Sequence, residues 1–310
     1  MQQEKRSIGV VLVEALLGLL ARLPLGFHLG FGRFLSWLMR DVIHYRRDVV
    51  MTNLSRSFPE KKYGELKELM KECYRHFGDI VAEAIWFGGC RNARGRKRLN
   101  ESGIVDILNP EVFNEVYDNS TNVMVLSSHA GNWELLGGWF SYNHNKEVPL
   151  KSGPEEIGVV YRRLKSKLWD RVIEDNRCNS LKDTDFDGYL ESLEVFRFAI
   201  AHRRQKFIYI FPTDQYPYHI ATKHNVGKFL NQETLAMTGG AALANKFGMS
   251  VNYLRWKVTG RGRYSVEFVP ICSNAADYTP ERIMEMYYAE LEKDIKDQPW
   301  NYLWTHKRWK

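Results

Sequence analysis

Residues Asn122 to Gly138 read NVMVLSSHAGNWELLGG. The run from Asn122 to Leu126 has the composition of a buried strand, too short for a helix and closed by two serines. Gly131 then frees a turn, and Asn132 is a favoured helix N-cap. Strand, loop and helix start therefore follow one another in a single unit, the pattern of an α/β fold. Two ionisable residues sit at the join, His129 on the loop and Glu134 in the first helical turn. Positions five apart on one helix lie about 140° out of phase, so the two can meet only in this loop-plus-first-turn arrangement.

The helix N-terminus favours an ionised Glu134. An ionised carboxylate beside an imidazole orients the ring and stabilises its charged form, which predicts a general-base dyad for a hydroxyl or a water. A strand-end histidine that merely hydrogen-bonds, beside a glutamate that merely answers the helix dipole, fits the same residues. Two further strands bear on the choice. GVVYRRL (Gly158 to Leu164) carries Arg162, and QKFIYIF (Gln205 to Phe211) is ended by Pro212 and followed by Asp214 and Gln215. Sites in α/β sheets gather at the carboxyl ends of strands. His129 as base, Arg162 as a cation for an oxyanion or phosphate, and Asp214 to hold that cation would make an acyl-transfer site. Asn132, Trp133, Gln215 and Arg177 are the expected substrate-binding residues. No H-E-x-x-H pattern and no G-x-S-x-G elbow occurs, so neither a metal nor a serine nucleophile is expected.

The rest of the chain alternates in the same way. Apolar positions from Leu66 to Ile85 follow a 3.6-residue period and predict a long amphipathic helix. RNARGRKRLN, from Arg91, reads either as a solvated loop or as an anion contact. KLWDRVIEDNR (Lys167 to Arg177) and GYLESLEVFRFAIAHRR (Gly188 to Arg204) read as helices, Thr213 to Phe229 as a long loop, and Glu233 to Phe247 as a helix stopped by Gly248. SVNYLRWKV and RYSVEFVPI form a strand pair, and Thr279-Pro280 caps a last helix.

Hydrophobic residues make up 44% and aromatics 13% of the 310 residues, enough for a sizeable core. The net charge of +7 suits an anionic partner: a membrane surface, an acidic carrier protein or a nucleic acid. Against nucleic acid, the basic residues are dispersed and no recognition motif appears. The four cysteines, Cys73, Cys90, Cys178 and Cys272, have no paired spacing and are expected to be free thiols. Ser7 to Met39 is strongly apolar but interrupted by Glu14, Arg22 and Arg33, with a break at Pro24. A spanning helix needs about 20 apolar residues. Two short helices in the membrane interface are favoured, with a full span second and a pair of core helices as the third reading. The expected division is a membrane-associated segment over 1–40 and a catalytic domain over 41–310. Trp300, Tyr302, Trp304 and Trp309, beside basic residues near the C-terminus, read as interfacial or as ordinary packing.

HAGNWE (His129 to Glu134) resembles the H-x4-D/E motif of the glycerolipid and lysophospholipid acyltransferases. RRDVVMTNLSRSFPE (Arg46 to Glu60), VVYRRL, FPTDQ, KFLNQETLAMTGGAALA and PWNYLWTHKRWK follow in the order of the bacterial lipid A biosynthesis acyltransferase branch. The resemblance runs from about Arg40 to Lys310. It implies a mixed, mostly parallel central sheet flanked by helices. It implies transfer of a fatty acyl chain from an acyl carrier protein or coenzyme A thioester to a hydroxyl of a lipid A precursor or related glycolipid, without a bound cofactor. The setting it implies is the cytoplasmic face of a bacterial inner membrane, and a monomer is expected. By match, His129 is the base, Glu134 its partner, and Arg162 and Asp214 the supporting pair. Arg163 stands where the family usually has Pro, and Asn231 where it has Gly; both are expected to bear on acceptor or chain length. Rival readings are acylation of a lysophospholipid, an aminolipid or a mannosylated lipid, or a non-catalytic basic membrane-binding protein.

Overall fold

The computed structural model describes residues 8–142, 148–186, 188–219 and 221–310. Residues 1–7 of the apolar N-terminal segment and Ile220 of the expected loop lie outside the described residues. In chain order, α1 is Ile8–Leu20, α2 Leu25–Trp37, α3 Arg47–Ser57, α4 Tyr63–Phe87, α5 Asn92–Ser102, β1 Val105–Ile107, α6 Pro110–Asn119 and β2 Asn122–Ser127. A 3₁₀ helix, Trp133–Ser141, follows β2, and a π-helical turn, Leu38–Val42, follows α2. Next come β3 Ile157–Tyr161, α7 Lys167–Arg177, β4 Tyr189–Glu191, α8 Val195–His202 and β5 Phe207–Pro212. The chain ends with β6 Lys223–Phe229, β7 Gln232–Met237, α9 Gly239–Phe247, β8 Ser250–Gly260, β9 Arg263–Cys272 and α10 Pro280–Asp297.

Seven strands make one sheet in the order β1-β9-β8-β2-β5-β3-β4, parallel at every pair except β8 with β9. The expected α/β class and the mostly parallel sheet are both present. β2 is buried at all its positions because β5 and β8 flank it and α6 and α9 pack on it. The order also answers what the sequence left open. β2, β5 and β3 are neighbours, so the ends bearing His129, Asp214 and Arg162 lie side by side.

Two expected helices begin as strands. Over 188–204, Tyr189 and Leu190 are buried in β4 on the edge of β3, and the helix starts only at Val195. Over 233–247, Thr234 and Ala236 are buried in alternation in β7, which pairs with β6 in a hairpin drawn from the expected loop. Pairing overrides helical propensity in both cases. Asn231 sits in the hairpin turn at φ +63°, after Leu230 at φ +52°. Asparagine tolerates that left-handed region, and its Nδ2 donates to Ser57 O at 3.0 Å. It is a turn residue whose amide faces α3.

The basic run after Arg91 is helix α5 rather than a loop. Arg96 pairs with Asp183 at 2.6 Å, and Arg98 donates to the carbonyls of Ala21 and Leu23, each at 3.0 Å. Of the C-terminal aromatics, Tyr302 and Trp304 are buried, as is Arg308, so ordinary packing accounts for these, while Trp300 and Trp309 are half-buried. All four cysteines are buried.

α2 packs closely on α4, and a Cβ at Gly78 would collide with the carbonyl of Gly32. α1 packs against α7 and leaves Leu12, Leu16 and Leu19 about 60% exposed. Among the described residues no single helix is long and apolar enough to cross a membrane. The two segments Ile8–Leu20 and Leu25–Val42 reach that length and composition together, bent by 118°.

Candidate active site

Leaving β2, the chain must turn sharply to start the 3₁₀ helix. Gly131 makes the turn at φ +63°, with Trp256 so close that a Cβ would come within 2.6 Å of its ring. Its N–H donates to Oδ1 of Asn301 at 2.7 Å. Asn132 caps the helix, its Oδ1 accepting the N–H of Glu134 at 3.1 Å. The expected helix start is present, wound as 3₁₀ rather than α.

His129 is held from the neighbouring strand. Its backbone N–H donates to Asp214 Oδ1 at 3.1 Å, and its Nδ1–H donates to the same oxygen at 2.7 Å. Nε2 then carries the lone pair, and the Gln215 amide donates to it at 3.0 Å. This is the orientation a general base needs, with one nitrogen tied to a buried carboxylate and the other turned to the cleft. Burial would raise the Asp214 carboxyl, but His129, by charge and by hydrogen bonds, holds it below the usual carboxylate range.

The spacing argument assigned the wrong carboxylate to the ring. Glu134 is hydrogen-bonded to Arg177, Nε to Oε2 at 2.7 Å and Nη2 to Oε1 at 2.6 Å, and to Trp133 Nε1 at 2.9 Å. Burial opposes its ionisation, yet Arg177 and Trp133 hold it below its ordinary value. The physical reason is reach: Asp214 leaves an adjacent parallel strand level with His129, whereas Glu134 projects from the next turn toward α7. Trp133 lies edge-on to His129, with centroids 5.0 Å apart, and so stands between ring and ion pair. Asp214 likewise does not hold Arg162, whose guanidinium stacks over Tyr218, 3.8 Å from the ring centroid.

These groups line one cleft of about 550 Å³. His129, Trp133, Glu134, Arg162, Arg177 and Gln215 supply its polar wall, and Leu136, Val159, Val160, Phe211 and Met237 an apolar one. Of the expected site residues only Asn132 and Asp214 are absent from the lining. Asp214 lies behind His129, and Asn132 points away, its Nδ2 donating to Glu83 Oε2 at 2.8 Å. Asn132 is thus a buried cap and not a substrate contact. Among the described residues no group of three or more His, Cys, Asp or Glu side chains is placed to hold a metal ion.

Three supports escaped the sequence reading. Tyr218 carries Arg162, Asn301 anchors Gly131, and Glu83 with Tyr264 anchors Asn132. Only Glu83 had a signal, an acidic residue inside the apolar stripe of α4. It is fully buried, accepts the Tyr264 hydroxyl at 2.7 Å, and is pushed up to about 7 by burial.

A family model described as bacterial lipid A biosynthesis acyltransferase matches residues 3–310. No curated protein matches the chain.

Proposed function

The chain belongs to the bacterial lipid A biosynthesis acyltransferase family, and from this premise we propose that it moves a fatty acyl chain from an acyl carrier protein or coenzyme A thioester to a hydroxyl of a lipid A precursor or related glycolipid. The observation that carries the reading is the line Asp214–His129–Gln215 at the wall of a cleft with one polar and one apolar side. The acceptor hydroxyl displaces the Gln215 amide from His129 Nε2 and gives up its proton there. The resulting oxygen attacks the thioester carbonyl, and a tetrahedral oxyanion forms. As the oxyanion collapses, the C–S bond breaks and the thiolate takes the proton from Nε2. The products are an ester and a free thiol, and His129 returns to its starting state. Asp214 stabilises the imidazolium between these steps.

Arg162 and Arg177 give the polar wall cationic character, which suits a phosphorylated glycolipid. Arg162 is the freer of the two, since Arg177 is engaged by Glu134. Glu134 acts through Arg177 and Trp133, which shape the wall beside the base. The exposed leucines of α1 and the bent α1–α2 pair support attachment to a lipid surface, and the setting proposed for it is the cytoplasmic face of the inner membrane.

The test incubates the protein in anionic phospholipid vesicles with labelled acyl carrier protein or coenzyme A thioesters and candidate acceptors. These are a lipid A precursor, a lysophospholipid, an aminolipid and a mannosylated lipid. Label in the lipid A precursor, lost in His129→Ala, is the expected result. Label in one of the other lipids alone replaces the acceptor, and no label from any pair removes the transferase reading for this chain.

A further inference from the structure

Two segments at opposite ends of the chain, RRDVVMTNLSRSFPE and PWNYLWTHKRWK, contribute only Leu303 to the cleft lining. They meet each other instead. Beyond α10 the tail runs without helix or strand, yet Asn301, Tyr302, Trp304 and Arg308 are buried. Its side chains reach both loops of the site. Asn301 Oδ1 accepts the Gly131 N–H, two residues past His129, while its Nδ2 donates to Trp256 O at 3.2 Å. His306 Nε2 accepts the Tyr216 N–H at 3.2 Å, two residues past Asp214. The His306 ring is fit for that role, because burial pushes it down to about 4 and leaves it neutral. The outer side of the tail is fastened by α3 and the residue before it. Asn53 Nδ2 donates to the carbonyls of Trp304 and His306, each at 2.9 Å, and Arg46 Nη1 donates to Thr305 O at 3.0 Å.

We propose that Asn301 and Asn53 are positioning residues for acyl transfer, Asn301 by fixing the loop of His129 and Asn53 by fixing the tail that braces both His129 and Asp214. The assignment to acyl transfer rests on the function proposed above. The Gly131 N–H is buried and must find an acceptor. With Asn301 shortened, the loop relaxes toward another partner, and His129 moves relative to Asp214. A displacement of about 1 Å in such a pair can cost about 10²-fold in rate.

The experiment uses the full chain in vesicles with Asn301→Ala, Asn53→Ala and Arg46→Met, each checked for folding by thermal unfolding. Two readouts are taken. One is kcat and KM for acyl transfer per folded protein. The other is the nuclear magnetic resonance signal of the His129 Nδ1 proton in detergent-solubilised, histidine-labelled protein. Expected are a fall in kcat of about 10²-fold for Asn301→Ala and about tenfold for Asn53→Ala, with KM within about twofold. The Nδ1 proton signal moves or is lost in both. A merely structural role would lower the folded fraction and leave the signal of the folded molecules unchanged. Folded Asn301→Ala and Asn53→Ala with wild-type kcat and an unmoved signal overturn the proposal. If Asn301→Ala does not fold, Asn53→Ala and Arg46→Met decide it by the same criteria. If wild type transfers no acyl group, the functional reading fails alone, and the Nδ1 signal still decides whether the tail sets His129 against Asp214.

Discussion

Arg177 grips Glu134 with two parallel hydrogen bonds, 2.7 and 2.6 Å long, at the shoulder of the cleft. Such a fork is the strongest geometry open to an arginine–carboxylate pair. Both side chains are about four-fifths buried, so removing one strands the other. Glu134→Ala and Arg177→Ala are each expected to cost about 1–3 kcal/mol in stability and to lower acyl transfer, while the double variant does no worse than the poorer single. A double-mutant cycle by thermal unfolding and activity checks this. Additive losses would mean the two residues act apart.

In the proposed mechanism Asp214 carries the larger share of catalysis. Asp214→Asn keeps the shape of the side chain and removes the charge that steadies the imidazolium, so kcat should fall by about 10²–10⁴-fold. Its carboxyl is held low in the folded protein by His129 against the opposing effect of burial. A depressed carboxyl stabilises the fold above its unfolded pKa of about 3.9 and loses that contribution as pH falls through the folded value. Wild type should therefore lose more stability below about pH 4 than Asp214→Asn does. Melting temperatures over pH 2–7, on the order of one point per unit, measure it.

Glu83 has the opposite sign. Burial raises it from 4.5 to about 7. A raised carboxyl costs nothing below its unfolded pKa, then an increasing amount until pH passes its folded value. Both of its hydrogen bonds fall on Oε2, from Asn132 and Tyr264, so the Oε1 of a glutamine can accept both. Glu83→Gln should match wild type near pH 4, where the glutamate's own O–H is as unpaired as the amide, and exceed its stability at pH 8 by roughly 3 kcal/mol, the full shift. Denaturant midpoints at the two pH values decide it, and equal differences at both would refute the raised carboxyl.

The exposed row on α1 gives a test of membrane attachment. Leu12 and Leu16 are 64% and 60% exposed, one turn apart on the same face. Each leucine buried in an interface contributes on the order of 2 kcal/mol. Replacing both with aspartate should weaken co-sedimentation with anionic vesicles by about tenfold or more while leaving the melting temperature near wild type. Unchanged sedimentation would move the contact to another face.

The stretch around His129 was legible because a single short segment contains its whole logic: an apolar run, a glycine that must turn and an asparagine that must cap. α7 was legible to its end residues, and α10 from its Thr279 cap, for the same reason. Partner choice was less so. Whether Asp214 or Glu134 holds the ring depends on β5 lying beside β2, and no local pattern encodes strand order. Tyr189 and Ala236 read as helical because their neighbours are helix formers, yet strand pairing claims them. Asn301 gave no signal, since an amide that meets a glycine N–H across 170 positions looks like any other asparagine.

That long-range bond also sets an order of assembly. β1 to β9 can pair without residue 301, but the Gly131 N–H has no acceptor until Asn301 docks against the loop. The sheet is therefore a scaffold that can close first, and the loop carrying His129 is locked last, by a side chain that arrives from 170 positions away.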